Sequence, residues 1–334
     1  MRSDVFLPEN RPRFGEQRRF FEIWFAVLFD SEARRTAWIR YDLLRSAAGA
    51  GHAIVWAGLS DERTVWKKRA FKQVLPLTAL RRDPDRVSWA PRCEIKNDRW
   101  SGSLPTPDGE LDWQLEWLGV DSPLPPREPW PIRSLPLPTR VVHCRDRERV
   151  VLEAELDGEQ FRIDGHGVQK HIWGRRRVER LFWLYCPRWH GPDGGMEAIG
   201  VSVRGGDHPA VTVAAEVDGH VLTGNHGLQL LANRLRVRPE RQLEFEASGL
   251  REKIVARARC EPDTLIGYLY RDPSGVDIPV AQSDLGECEL EIHRRDLPGR
   301  AWRKVRTVHS TSAALEFHGE TVPGIRYLEW LEEH

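Results

Sequence analysis

The chain has 334 residues, a length that suits two domains better than one core. Hydrophobic residues make up 40% and charged residues 30%, the balance of a soluble globular protein. Lys+Arg and Asp+Glu number 50 each, so no net positive field exists to drive binding to nucleic acid or to an anionic membrane.

From Met1 to Gln17 the chain is polar and contains proline, with no apolar stretch of a signal peptide. Phe20 to Phe29 is an apolar run with Glu22 embedded in it. A turn at Asp30-Ser31-Glu32-Ala33-Arg34 leads into Thr36 to Leu44, which predicts a hairpin. Ala53 to Leu59 is a further short strand, and alternating segments follow at Leu111 to Trp117 and Val150 to Leu156. Beyond them come Pro209 to Val217, Leu243 to Ala247 and Cys288 to Ile292. Turn signals such as Pro107-Asp108-Gly109, Asp157-Gly158 and Asp218-Gly219 punctuate them. Many short strands at near-regular spacing predict an all-β sandwich or barrel. Helix is expected only at Leu228 to Arg236 and Ile325 to Glu333.

The prolines of Ser122 to Pro131 and Leu135 to Pro138 disfavour a central strand and predict an extended linker. A domain boundary is therefore expected near residue 138, giving domains 1–138 and 139–334. The halves show faint likeness. Gly109 to Leu115 echoes Gly286 to Ile292, and the hairpin from Phe21 to Tyr41 has a counterpart in Leu181 to Val203. A duplication accounts for both, as does chance between amphipathic strands.

The 14 tryptophans stand out beside five tyrosines, and suit a wide barrel or an aromatic cavity. The five cysteines are scattered, with no C-x-x-C pair, so neither a disulfide framework nor a zinc site is expected. A reducing compartment fits, and with it the cytoplasm. No run approaches the roughly 20 apolar residues of a membrane-spanning helix.

The segment Gly165-His166-Gly167-Val168-Gln169-Lys170-His171-Ile172-Trp173-Gly174 carries the densest chemistry. It lies between two expected strands, Glu159 to Asp164 and Arg180 to Cys186, and reads as a glycine-flanked loop. With the Phe21 to Tyr41 hairpin and the proline-rich connector, it resembles the lipocalin-like hydroxyneurosporene synthase (carotenoid hydratase), or AttH-type, superfamily. The resemblance spans most of the chain in order. It implies two tandem lipocalin-like β-barrels with a cavity for polyene-like or terpenoid molecules. Members include hydratases, cyclases and Diels–Alderases. The family loop reads acidic-His-amide-Trp-Gly. Here Lys170 takes the acidic place and Ile172 the amide place, while His171, Trp173 and Gly174 are kept. If the missing acid is the proton donor of hydratases, this chain departs from them.

His171 and Trp173 alternate and so share a face: either an acid–base group beside an aromatic wall, or a pair closing the barrel. His166 lies between glycines and reads as a solvated histidine or a substrate contact. Asp164 is a turn residue or a replacement acid, since a carboxyl in an apolar pocket holds its proton. Trp183 and Tyr185 share a face, as do Tyr268 and Tyr270, either as core or as ligand walls. Glu22 among aromatics needs a partner, and Arg40 on the paired strand, beside Trp24, is the expected one. Asn225 and His226 read as a turn. The spacing of His166, His171 and His190 matches no metal site, no phosphate loop or dinucleotide fingerprint is present, and no cofactor is expected.

Two functions follow. The first is a cofactor-independent enzyme that protonates a double bond of an apolar isoprenoid, polyene or polyketide-like substrate, or closes a ring by shape, in a cavity near the domain interface. Its acid is Asp164 or Glu22, with His171 as relay. The second is a non-catalytic lipocalin-like binding protein for a small apolar ligand.

Overall fold

The computed structural model describes residues 8–64, 67–89, 92–119, 137–202, 209–225, 229–238 and 241–328. Two sheets of eleven strands each dominate, antiparallel but for one two-residue parallel pairing at Tyr327–Leu328, as the period-two pattern predicts. The first sheet opens with four strands joined by short connections: β1 (Phe20–Asp30), β2 (Arg35–Arg45), β3 (Gly51–Asp61) and β4 (Lys68–Pro76). Three short strands follow, β5 (Leu80–Arg82), β6 (Arg86–Trp89) and β7 (Cys93–Lys96), then β8 (Arg99–Pro105) and β9 (Glu110–Gly119). Two long strands complete it, β10 (Thr139–Leu156) and β11 (Glu159–Gly174), and β11 pairs back onto β1.

The expected boundary at residue 138 therefore does not separate the sheets. The proline-rich connector, nearly all of it outside the described residues, links two strands of one sheet, and the change of sheet falls between Gly174 and Arg180. Proline density marks an interruption in pairing but does not say which sheet the next strand joins.

The second sheet repeats the plan. It contains β12 (Arg180–Cys186), β13 (Gly194–Ser202), β14 (Ala210–Val217), β15 (His220–Thr223), β16 (Arg234–Arg238), β17 (Gln242–Ser248), β18 (Glu252–Arg259), β19 (Ile266–Arg271), β20 (Asp277–Arg294), β21 (Arg303–His318) and β22 (Tyr327–Leu328). The orders β4-β3-β2-β1-β11-β10-β9 and β15-β14-β13-β12-β21-β20-β18 correspond strand for strand. The paired hairpins β1–β2 and β12–β13 match the likeness read between Phe21–Tyr41 and Leu181–Val203. The second likeness does not correspond: Leu111 to Leu115 lies on β9 and Cys288 to Ile292 on β20, whose counterpart is β10.

Among the described residues α-helix is one turn, α1 (Gln229–Ala232), followed by β16 where more helix was expected. Tyr327–Leu328 pairs with β19, and residues 329–334 lie outside the described set.

Each sheet curls around its own lumen. In the first, Trp24, Tyr41, Trp89, Trp100, Trp113 and Trp117 face inward. In the second, alanines and cysteines such as Ala198, Ala256, Ala313 and Cys288 sit among larger aliphatic and aromatic residues such as Leu184, Leu243, Phe245 and Leu315. Alternation sends the other residues of β1 to β3 outward, where Phe25, Trp38 and Trp56 meet Trp183, Tyr268 and Tyr270 of the second sheet. Trp38 lies 5.2 Å from Tyr268 and Phe25 5.9 Å from Trp183, centroid to centroid. The place expected to hold a cavity between domains is thus an aromatic third core.

Candidate functional site

The glycine-rich segment is a strand. Gly165 to Gly174 forms the second half of β11, paired on one side with β1 and on the other with β10. Its glycines serve close approach: a Cβ on Gly165 would strike the Phe29 carbonyl, and one on Gly174 the Pro138 carbonyl. Composition looks the same for a loop and for a tightly curved strand.

In this register Glu22 of β1 lies opposite Trp173, and Trp24 opposite His171. All four side chains point into the mouth of the first lumen. Glu22 and His171 are fully buried, with His171 Nε2 2.8 Å from Glu22 Oε1. The His171 ring stacks on Trp24 at 4.8 Å and 10°, and Trp173 tilts against its other neighbourhood at 4.8 Å.

The N-terminal segment covers this pair. The Arg13 amide donates to Glu22 Oε1 (2.5 Å) and the Phe14 amide to Oε2 (2.7 Å). The Glu9 carbonyl lies 2.7 Å from His171 Nδ1, and the Asn10 carbonyl accepts from Trp24 Nε1 at 3.1 Å. Gln169, also inward on β11, donates to Asn10 Oδ1 at 2.8 Å, and the Arg13 guanidinium lies 5.3 Å over Trp173.

Hydrogen-bond counting fixes one proton. A carbonyl oxygen only accepts, so Nδ1 carries the hydrogen toward Glu9. The 2.8 Å contact between Nε2 and Glu22 then needs a second proton, on one atom or the other. The pair is imidazolium–carboxylate or imidazole–carboxylic acid, and either form stores one transferable proton beside two indoles, in a setting with little water.

Other expectations need correction. Arg40 is not the partner of Glu22. It points out of the barrel, into the seam, where its Nε lies 2.5 Å from Asp42 Oδ1 and its guanidinium 3.6 Å over the Tyr270 ring. Adjacent strand positions of opposite parity cannot meet. Trp183, Tyr185 and Tyr268 belong to the seam, on the far side of the sheet from His171 and Trp173. Each pair shares a face as its alternation predicts, but the two faces differ. Asp164 is about half exposed and pairs with Arg149 (3.3 Å) and Arg162 (3.8 Å), so it is no shielded acid. His166 is half-buried at the middle of β11, opposite Phe29 and five residues from His171. Lys170 points into the seam, where it pairs with Glu197 and lies 4.0 Å over Trp183. Asn225 is buried, its Oδ1 accepting from the Val213 amide, and His226 lies outside the described residues. No His/Cys/Asp/Glu cluster suited to a metal occurs among the described residues.

The sequence reading missed Asp284. It is buried in the seam, accepts from Gln282 Nε2 at 2.7 Å, and Gln282 in turn accepts from the Tyr268 hydroxyl. Burial lifts its carboxyl to about 7. Its signal was a lone acid in Ala281-Gln282-Ser283-Asp284-Leu285.

A cleft of about 920 Å³ opens at the edge of the seam, lined by Arg18, Arg19, Arg175, Arg176, Arg177, Glu179 and Asp272 with Val276 and Ile278. Burial and the nearby Arg40 push Arg177 down to about 10.

No family model matches the chain, and neither does any curated protein sequence. Solved structures match its fold. One is a protein described as an AttH (NE1406) from Nitrosomonas europaea: 10% identity, TM-score 0.53, 94% of this chain and 99% of that one covered. Another is CghA, solved with Sch210972: 13% identity, TM-score 0.53, 90% and 88% covered. This chain thus has the fold of the AttH-type, lipocalin-like proteins, two β-barrels in tandem.

Proposed function

We propose that this protein is a cofactor-independent enzyme that protonates a double bond of an apolar isoprenoid, polyene or polyketide-like molecule at the Glu22–His171 pair. The observation that carries this reading is the contact itself: a buried imidazole and carboxylate lie 2.8 Å apart beside Trp24 and Trp173. Indole faces stabilise the cationic carbon that protonation creates, and the dry lumen strengthens that attraction. The cover over the pair makes mostly main-chain contacts, through Glu9, Asn10, Arg13 and Phe14. A short segment outside the strand ladder opens more cheaply than the barrel it covers, which gives substrate a way in. The bound Sch210972 of CghA supports a small organic ligand for this fold.

A specific observation favours a second reading, a non-catalytic binding protein. The second barrel has a cavity of about 620 Å³ with an apolar floor, and the imidazole–carboxylate pair at its rim, His220 with Glu252, is open to solvent where Glu22 and His171 are buried.

Turnover in heavy water separates the two. A panel of acyclic polyenes and terpenoids is incubated with the protein, and products are read by mass spectrometry. Conversion with one carbon-bound deuterium is expected, and Glu22→Gln should slow it by about 100-fold or more while ligand retention changes little. Retention of a panel member with no conversion supports the binding protein, and conversion without deuterium supports ring closure by shape alone.

A further inference from the structure

Three of the turns at one end of the second barrel are built unlike the rest of the surface. They join β14 to β15 (residues 218–219), β17 to β18 (249–251) and β20 to β21 (295–302). Pairing of Glu252 with Arg294, and of Arg294 with Arg303, places the last two side by side, and His220 Nε2 lies 3.0 Å from Glu252. Val221, Leu250, Leu297 and Val305 are exposed here, Leu250 at 73% and Leu297 at 56%. They are half of the exposed large apolar side chains among the described residues. Single exposed leucines are ordinary, but four on one barrel rim are not.

Charge gathers on the same rim. Arg251, Arg294, Arg295, Arg300, Arg303 and Lys304 outnumber Asp218, Glu252 and Asp296 of these turns and Glu291, which pairs with Lys304 at 3.0 Å, on a chain whose formal net charge is zero. Arg294 pairs with Glu252 at 2.9 Å, and Arg295 donates to the Leu250 carbonyl and lies 4.1 Å over the Trp302 ring. Arg251, Arg300 and Arg303 make no side-chain ion pair among the described residues. The 620 Å³ cavity opens between these turns, with Leu222, Ala247 and Ile254 as its floor and Arg251, Arg294 and Arg303 at its rim. Gln229 also lines it, and its Oε1 is buried without a hydrogen-bond partner.

We propose that this rim docks the protein on an anionic lipid surface. Leucine and valine tips enter the boundary between headgroups and acyl chains, and the arginines meet lipid phosphates. The Arg295–Trp302 pair suits the headgroup layer, where tryptophan is favoured. Apolar tips inside a cationic ring match an anionic bilayer better than a neutral one, and the charge selects this partner over a purely apolar surface. Docked in this way, the second barrel opens its cavity toward the acyl chains, so an apolar molecule enters without crossing water. The rim stands apart from Glu22 and His171, and the proposal does not rest on their chemistry.

Flotation with vesicles tests it. The full-length protein is mixed with vesicles of phosphatidylcholine alone and of phosphatidylcholine with phosphatidylglycerol, at low and high salt. Binding to the mixed vesicles is expected, weak on phosphatidylcholine alone, and reduced by salt. The double change Leu250→Glu/Leu297→Glu and the double change Arg251→Glu/Arg303→Glu should each lower partitioning by about tenfold or more. All four side chains are outside the barrel core, so the melting temperature should stay put, which separates lost docking from lost folding. Absence of flotation with either vesicle, or equal flotation of wild type and both variants, overturns the proposal. So does a wild-type dimer that Leu250→Glu/Leu297→Glu converts to monomers without any vesicle binding, since the rim is then an interface between copies.

Discussion

The two barrels share one strand order and fill it with different side chains. The first lumen is packed with indoles and a tyrosine, and its mouth is closed by the N-terminal segment over Glu22 and His171. The second is lined mainly by aliphatic side chains, with Trp189 as the tryptophan of its core, and one end opens to a cavity of about 620 Å³. The same backbone plan therefore gives one dense, chemically equipped barrel and one receptive barrel. Topology sets where side chains point, and side-chain volume decides whether a lumen is core or pocket.

Truncation on each side sharpens the contrast. Trp100 is 1% exposed and meets Tyr41 and Trp117 edge-on at 5.6 and 6.4 Å. Trp100→Ala should cost about 3–5 kcal/mol, because rigid aromatic neighbours cannot collapse into the space. In the second barrel Ile254→Val, at the cavity floor, should cost about 1 kcal/mol. Denaturant midpoints measure both. Similar losses at the two sites would end the idea that the lumens differ in packing.

The seam between the barrels gives a smaller, pH-dependent effect. Asp284 is lifted to about 7 by burial, above the roughly 3.9 of an unfolded carboxyl. Between those values the folded form holds the proton and the unfolded form does not. The stability contribution is therefore fully present below about pH 4 and lost as pH rises through 7, by roughly 4 kcal/mol in all. Asp284→Asn removes this dependence, so the variant should gain on wild type steadily from pH 4 to pH 8 in urea melts. Parallel pH profiles would show that Asp284 ionises freely and that the seam is wet.

Much of this was legible beforehand. Alternation gave the all-β class, the hairpins β1–β2 and β12–β13, and the shared faces of His171 with Trp173 and of Trp183 with Tyr185. What alternation cannot give is which face of one strand matches which face of another. That relation depends on the order of strands in the sheet, and it put Arg40 and Trp183 in the seam, behind the strand that carries His171. Burial of Glu22 was readable from its apolar neighbours, but its partner was not, since β11 follows it by more than a hundred residues. The basic rim is a third case. Overall charge balance hid it, because its arginines gather only when two separate turns, 249–251 and 295–302, come to one end of a barrel.

The proton held between Glu22 and His171 is the central claim, and nitrogen NMR of the His171 ring tests it most directly. With histidine labelled and His171→Gln used to assign the signal, Nδ1 should carry a slowly exchanging hydrogen bonded to the Glu9 carbonyl. The Nε2 signal should report a hydrogen bond to Glu22 and shift when Glu22 is changed to Gln, while the Nδ1 signal stays. A bare Nδ1, or an Nε2 signal indifferent to Glu22→Gln, would contradict the account and leave the pair as a strut for the N-terminal segment.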